Sequence, residues 1–285
     1  MIPASRFAGL PPDFWAYVRA LSEAIGYSER GSNRVRGCRP DEVTGALTAL
    51  HLSPDHLNRE LSNATYSTIL VEYLNHRADL LNGYAQPLFM DSSEAKAEFR
   101  QLRKALRPTC ALPMNKQKGK KRHEAYLTCL VNMLTEATLG SCGFDQDPRG
   151  LATVSDGGRL LCTLPRRVDG AYPSIIGPAA VWEIKEYYDT TTFGSRVADG
   201  IYETMLDGHE LARLRREYDR HVLHYLIVDG RYTWWECGRS YLCRIVDMLH
   251  EGLLDEVIFG REVIARWPAI IRAWQQPPAL SAKSS

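Results

Sequence analysis

Two carboxylates and an ammonium group fall close together in one stretch of this chain. Asp169 closes a short apolar run at Arg167-Val168-Asp169. After the Gly177-Pro178 turn, the run Ala180-Val181-Trp182-Glu183-Ile184-Lys185 carries Glu183 and Lys185 in its middle. Side chains alternate between the faces of a strand, so Glu183 and Lys185 share one face while Trp182 and Ile184 take the other. Gathering these charges in a half-buried sheet is costly unless something compensates them. A divalent metal ion holding a phosphate would do so, and the matching chemistry is metal-assisted hydrolysis of a phosphodiester. The plain alternative is a surface ion pair of Glu183 and Lys185, with Asp169 as a turn residue before Gly170; such pairs contribute little to stability.

The elements around this stretch must place it in a sheet. From Asp145 onward, Gly-Gly turns punctuate runs of Leu, Val, Cys and Thr, which predict strands at Arg159–Leu164, Arg166–Asp169 and Ala180–Lys185. Helical patterns follow over Ser195–Leu206 and His209–Arg220, then a buried-looking strand His221–Val228. Asp229-Gly-Arg predicts a turn into a hairpin partner at Tyr232–Glu236, and helices are expected at Tyr241–His250 and Asp255–Trp274. Before the sheet, His123–Glu136 reads as an amphipathic helix ending near Gly140, with Glu124 in its first turn, where a carboxylate suits a helix N-terminus. It is not a zinc motif, because Leu127 stands where a second His would be needed.

The order helix, three strands, helix, strand, with Asp169 followed fourteen residues later by Glu183-Ile184-Lys185, resembles the PD-(D/E)XK nuclease superfamily, whose best-known members are type II restriction endonucleases. The resemblance spans about residues 116–236, and departs from the pattern in having Val168 rather than Pro before Asp169. A second Glu-x-Lys, Glu94-Ala95-Lys96, lies in a helical stretch with no suitable acid upstream. The resemblance implies an α/β (α+β) fold with a restriction-endonuclease-like mixed β-sheet flanked by helices. It implies Mg²⁺, with Mn²⁺ able to substitute, because a hard ion takes a few oxygen ligands plus water and the substrate phosphate. Asp169 and Glu183 would be its carboxylate ligands, the Ile184 carbonyl a third oxygen and Glu124 an additional acid, while Lys185 would orient the attacking water and stabilise the phosphorane. Glu186 alternates to the opposite face and is left out.

The first hundred residues read as all-helical: Pro11–Ile25 behind an Asp13 cap, Pro40–Leu50, a broken stretch from His56 to about Asn82, and Ser92–Leu106. The corner at Leu52-Ser-Pro-Asp has the shape of a helix–turn–helix, which would place a helix in a DNA groove, or else is plain scaffold. Pro-rich Arg107–Met114 marks a boundary, giving a helical domain 1–106 for DNA recognition or dimerisation, a catalytic domain 107–274 and a disordered tail 275–285.

Net charge is only +1, so any argument for a polyanion is local. Lys116, Lys118, Lys120, Lys121 and Arg122 form one basic loop, and Arg30, Arg34, Arg36 and Arg39 a second. Beside the acidic trio they are expected to contact double-stranded DNA, with Arg34 and Arg36 chosen from the second group. Arg213, Arg215, Arg216 and Arg220 are interleaved with acids and read as a salt-bridged solvent face. Trp234 and Trp235 read as core. His221 and His224 fall on opposite faces of a strand and do not suggest a shared metal. Seven scattered cysteines without CxxC read as reduced thiols. No apolar run reaches membrane-spanning length and no leader stands at the N-terminus, so a cytoplasmic protein is expected. The expected activity is thus that of a type II restriction endonuclease acting as a homodimer, with a cognate DNA methyltransferase encoded nearby. The rivals are a repair or phage-defence nuclease and a non-catalytic DNA-binding regulator.

Overall fold

A computed structural model describes residues 1–29, 31–61, 63–117, 119, 122–188 and 195–275, the side chain of Ser195 excepted. Lys118, Lys120, Lys121 and Arg30 lie outside these residues, as does the expected tail beyond Gln275.

The architecture is mixed helix and sheet. The central sheet has the strand order β3 (Asp145–Gln146), β6 (Gly170–Tyr172), β7 (Ala180–Glu186), β8 (Leu223–Asp229), β9 (Glu256–Phe259). β3, β6 and β7 are antiparallel neighbours, whereas β7, β8 and β9 run parallel. Parallel neighbours require crossovers, and two helices make them: α6 (Ser195–Tyr218) joins β7 to β8, and α7 (Arg239–His250) joins β8 to β9. A separate hairpin, β4 (Thr153–Asp156) with β5 (Arg159–Thr163), packs through Cys162 and Leu161 against Leu211 and Leu214 of α6.

Two cores sandwich the sheet. On one face, Trp182, Ile184, Tyr225 and Ile227 meet α5 (Tyr126–Leu139) and α8 (Val263–Trp274). On the other, Leu226, Val228, Val257 and Phe259 meet α7 and the start of α6. α4 (Ser92–Leu106), expected with the helical half, contributes Ala95 and Phe99 to the α5 core. The remaining helices, α1 (Pro12–Ile25), α2 (Pro40–Ala49) and α3 (Tyr66–Asp79), share their own core of Phe14, Trp15, Leu47, Leu70 and Tyr73. A buried ion pair ties that core to the sheet layer: Arg77 Nη1 lies 2.9 Å from Asp247 of α7, which also accepts from Tyr73 Oη at 2.6 Å.

Several expectations change. Asp13 lies in the first turn of α1 but makes no capping bond. The first hundred residues include a two-residue hairpin, β1 (Glu60–Leu61) with β2 (Ala64–Thr65), and the Ser53-Pro-Asp corner opens only a short 3₁₀ turn before it. That corner therefore does not join two helices in a helix–turn–helix. Tyr232–Cys237 is a π-helical stretch rather than a hairpin partner, with Trp234 and Trp235 buried. Gly230 explains this: it holds φ +120° beside the Tyr187 carbonyl, which turns the chain back over the end of β7. Asp255–Trp274 divides into β9 and α8, because the buried Glu256–Phe259 run pairs with β8. The two helical patterns over 195–220 are one helix, α6. All seven cysteines are unpaired.

Candidate active site on the α6 face of β7

The register places Asp169 next to Glu183. Gly170 pairs with Trp182, and Asp169 N donates to Trp182 O at 3.1 Å, so the ladder runs on past the start of β6. A Cβ at Gly170 would sit 2.2 Å from the Trp182 indole, so glycine is needed for the ring to cross that strand. The Asp169 carboxylate then reaches across to β7 and accepts from Ile184 N at 2.7 Å. Ile184 thus contributes a donor to Asp169 through its N–H.

Glu183 is fully buried, and Lys185 Nζ donates to its Oε2 at 3.1 Å. α6 covers both. Gly200 packs against the Lys185 stem, and Gly208 lies where a Cβ would be 2.6 Å from the Leu253 carbonyl, so the helix can lie close. Between these glycines, Glu203 and Asp207 stand one turn apart and face the sheet. Arg166, from the segment before β6, completes the cluster. Its guanidinium lies 2.7 Å from Glu183 Oε2, 2.9 Å from Asp207 Oδ2 and 3.7 Å from Glu203 Oε2, while Lys185 Nζ is 3.5 Å from Glu203.

The charges set the protonation states. Burial alone would raise Glu183, but Lys185 and Arg166 outweigh it and hold the carboxyl below its usual range. Burial opposes the charge on Lys185, but Glu183 and Asp169 outweigh it and raise the ammonium, which therefore stays charged. Asp207 is buried and pushed up to about 7 by desolvation, with Arg166 opposing and Glu183 adding to the rise. Desolvation by surrounding protein and the charge of Glu183 push Asp169 upward as well, against Lys185 and the Ile184 hydrogen bond. Asp169 nevertheless keeps a surface open to water, which moderates that rise.

Unsatisfied groups mark the cluster. Glu183 Oε1 and Asp207 Oδ1 are buried without a hydrogen-bond partner, Asp207 Oδ2 having its ion pair with Arg166, and Nε2 of His224 is likewise unpartnered while its Nδ1 lies 2.9 Å from the Leu253 carbonyl. His221 instead lies 2.8 Å from Asp255. Among the described residues, no three Asp, Glu, His or Cys side chains are grouped closely enough to hold a metal ion by themselves. Two carboxylates with an orphaned oxygen do fit a hard ion that takes its other ligands from water and substrate, as Mg²⁺ does.

The other expected residues lie elsewhere. Glu124 precedes α5 rather than opening it, bridges to Met114 and lies 3.6 Å from Arg103; this puts it on the α4–α5 side, apart from the cluster. Arg36 is half-buried, paired with Glu42 and donating to Ile25 O at 2.9 Å, so it is committed within the helical half. Arg34, Lys116 and Arg122 are exposed. Sequence reasoning missed Arg166, Glu203 and Asp207. Their signal was the four-residue spacing of the two acids, hidden when residues 195–220 were divided into two helices at that point.

Residues 90–274 match the family described as a domain of unknown function (DUF7687), and residues 1–84 match a second such description (DUF7690). The first match covers more than half of the chain, so the chain belongs to the DUF7687 family. No curated protein and no solved structure matches it significantly.

Proposed function

We propose that this chain is a Mg²⁺-dependent endodeoxyribonuclease with a restriction-endonuclease-like core, and specifically a type II restriction enzyme cutting double-stranded DNA at a short site. The observation that carries the reading is that Asp169 and Glu183, on adjacent strands, meet Lys185 on one sheet face, with one Glu183 oxygen left without a partner. The order α5, β3, β6, β7, α6, β8, interrupted only by the β4–β5 hairpin, is the order that the superfamily resemblance implies.

Asp169 and Glu183 would hold the ion, and bound Mg²⁺ (or Mn²⁺) would supply charge stabilisation and an acidified water. Lys185 stays cationic between Glu183 and Glu203, so it acts by donating hydrogen bonds and offsetting developing negative charge, and it does not accept a proton. Ile184 N fixes the Asp169 carboxylate, and Arg166 fixes Glu183 against α6. In this reading the protein works in the cytoplasm as a homodimer on a palindromic site, beside a cognate methyltransferase.

One observation favours a second reading, a non-catalytic DNA-binding regulator: Arg166 and Lys185 already compensate Glu183 as the chain stands. Incubating plasmid with the protein in MgCl₂ and in EDTA separates the two. Discrete fragments in Mg²⁺ alone are expected. Nicking or smearing would move the assignment to a repair or phage-defence nuclease, and binding without cleavage in any divalent metal would overturn the catalytic reading.

A further inference from the structure

The charges of α4 are sorted by face. Glu94 and Glu98, one turn apart, pair with arginines of neighbouring elements: Glu94 lies 2.9 Å from Arg231 and 3.3 Å from Arg261, and Glu98 lies 3.2 Å from Arg261. Ala95, Phe99 and Leu102 pack toward α5. The face opposite the two acids carries Lys96, Arg100, Arg103 and Lys104, with Arg107 just past the end of the helix. Glu124 takes Arg103 at 3.6 Å; Lys96, Arg100, Lys104 and Arg107 have no acidic partner among the described residues.

These cations border a surface hollow of about 590 Å³ between α4 and α5, lined by Lys96, Arg100, Arg103, Lys104, His123 and Glu124. The exposed Arg122, which ends the basic loop, directly precedes that lining. Solvated surface helices usually interleave charges of both signs, as α6 does with Arg213 on Glu210. α4 instead commits its acids to ion pairs with Arg231 and Arg261 and leaves its cations on the opposite face, in a chain with a net charge of only +1. Cations four residues apart lie about 6 Å apart along a helix, a repeating array that suits a polyanion with regularly spaced charges better than one small anion.

We propose that the outer face of α4, with the hollow beside α5, is a surface that binds the phosphate backbone of duplex DNA. It rests on charge complementarity and needs no catalytic site, though it gives the proposed nuclease a platform for its substrate. Base reading is not its task, since phosphate contacts position a duplex without specifying sequence.

The test is fluorescence anisotropy of the full chain with a labelled duplex in EDTA across a salt series. The variant is Lys96→Glu/Arg100→Glu/Lys104→Glu, and an Arg213→Glu/Arg216→Glu/Arg220→Glu variant with the same change of charge controls for net charge. The triple variant is expected to bind at least about tenfold more weakly at 0.1 M salt, with the slope of log affinity against log salt smaller by about 2.7 for three lost phosphate contacts. All three sites are exposed, and circular dichroism and thermal melting would verify that the fold is kept. Equal affinity and slope in the wild type and the triple variant would overturn the proposal. So would binding by the wild type to phosphatidylserine vesicles but not to duplex. Binding in EDTA with no cleavage in Mg²⁺ would sink the nuclease reading and leave this surface standing.

Discussion

β7 carries two acids three residues apart, Glu183 fully buried and Glu186 half-buried, and its two faces treat them differently. On the α6 face, Glu183 meets the cations Arg166 and Lys185 and keeps one oxygen unpartnered. On the α5 face, Glu186 accepts from Thr128 N at 2.8 Å and from its hydroxyl at 3.2 Å. Beside it in the register, Asp229 takes Met90 N at 2.8 Å, Gly230 N at 2.7 Å and Tyr188 Oη at 2.7 Å. Neutral donors satisfy Asp229 completely, and it ties the end of β8 to the segment entering α4. A buried acid that is fully bonded by backbone and hydroxyl groups serves structure. One held by two cations, with an orphaned oxygen, is equipped to take a further ligand.

Replacing residues of each face should therefore damage different properties. The largest effect belongs to the α6 face: Lys185→Ala and Asp169→Ala should each lower the cleavage rate by on the order of 10²–10³ or more, the scale of losing one electrostatic stabiliser. Duplex affinity in EDTA should stay within about threefold, because neither residue lies on the α4 surface. Either variant cutting plasmid at the wild-type rate would show that the trio is structural.

The α5 face should answer in stability. Burial pushes Asp229 up to about 7, with its hydrogen bonds from Tyr188, Met90 and Gly230 opposing, and Glu186 is pushed up to about 7 by burial, with Thr128 opposing and Asp229 adding to the rise. Below the ordinary carboxyl range both the folded and the unfolded chain are protonated, and this contribution is intact. As pH rises, the unfolded chain ionises first while the folded chain keeps its protons, so stability declines until pH passes about 7. Glu183 has the opposite sign, since its depressed carboxyl loses its contribution only as pH falls through the low value. The share of stability that depends on Asp229, read as the difference between wild type and Asp229→Asn in urea unfolding, should therefore be lower at pH 7.5 than at pH 5; Asp207 adds a decline of the same sign, and the lowered histidines His76, His224 and His250 oppose it. Asp229→Asn should flatten that decline and lower stability at pH 5 by about 1–2 kcal/mol, while cutting per folded molecule stays unchanged. An unaltered pH dependence in this variant would remove Asp229 from the account.

The contrast also explains what could be read in the sequence. Strand alternation was enough to put Glu183 and Lys185 together and Glu186 opposite, because a period of two is fixed by the backbone. Long periodic helices such as Ser92–Leu106 were legible for the same kind of reason. Glu203 and Asp207 were not, because they join the site through a crossover helix whose register over the sheet is set by close contacts at Gly200 and Gly208, and Arg166 was not, because it reaches Glu183 and Asp207 from the irregular segment before β6. Tyr232–Glu236 looked like a strand by its aromatic residues and is drawn into a π-helical turn by tertiary packing of Trp234 and Trp235.

Glu124 gives the smallest effect and the finest discrimination between the faces. Sequence order alone made it a metal ligand, whereas its carboxylate lies 3.6 Å from Arg103 beside the α4 cations. Its side chain is about one-third exposed and its partner is more than half exposed, so the pair contributes little to stability. Glu124→Gln should leave the cleavage rate and its Mg²⁺ dependence within about twofold of wild type, the range expected when a surface pair is lost. Removing that one negative charge from the basic hollow should instead tighten duplex binding slightly at low salt, an effect that fades as ionic strength rises. A steep loss of cleavage rescued by raised Mg²⁺ would return Glu124 to the metal site and require the start of α5 to move toward β7 in the working enzyme.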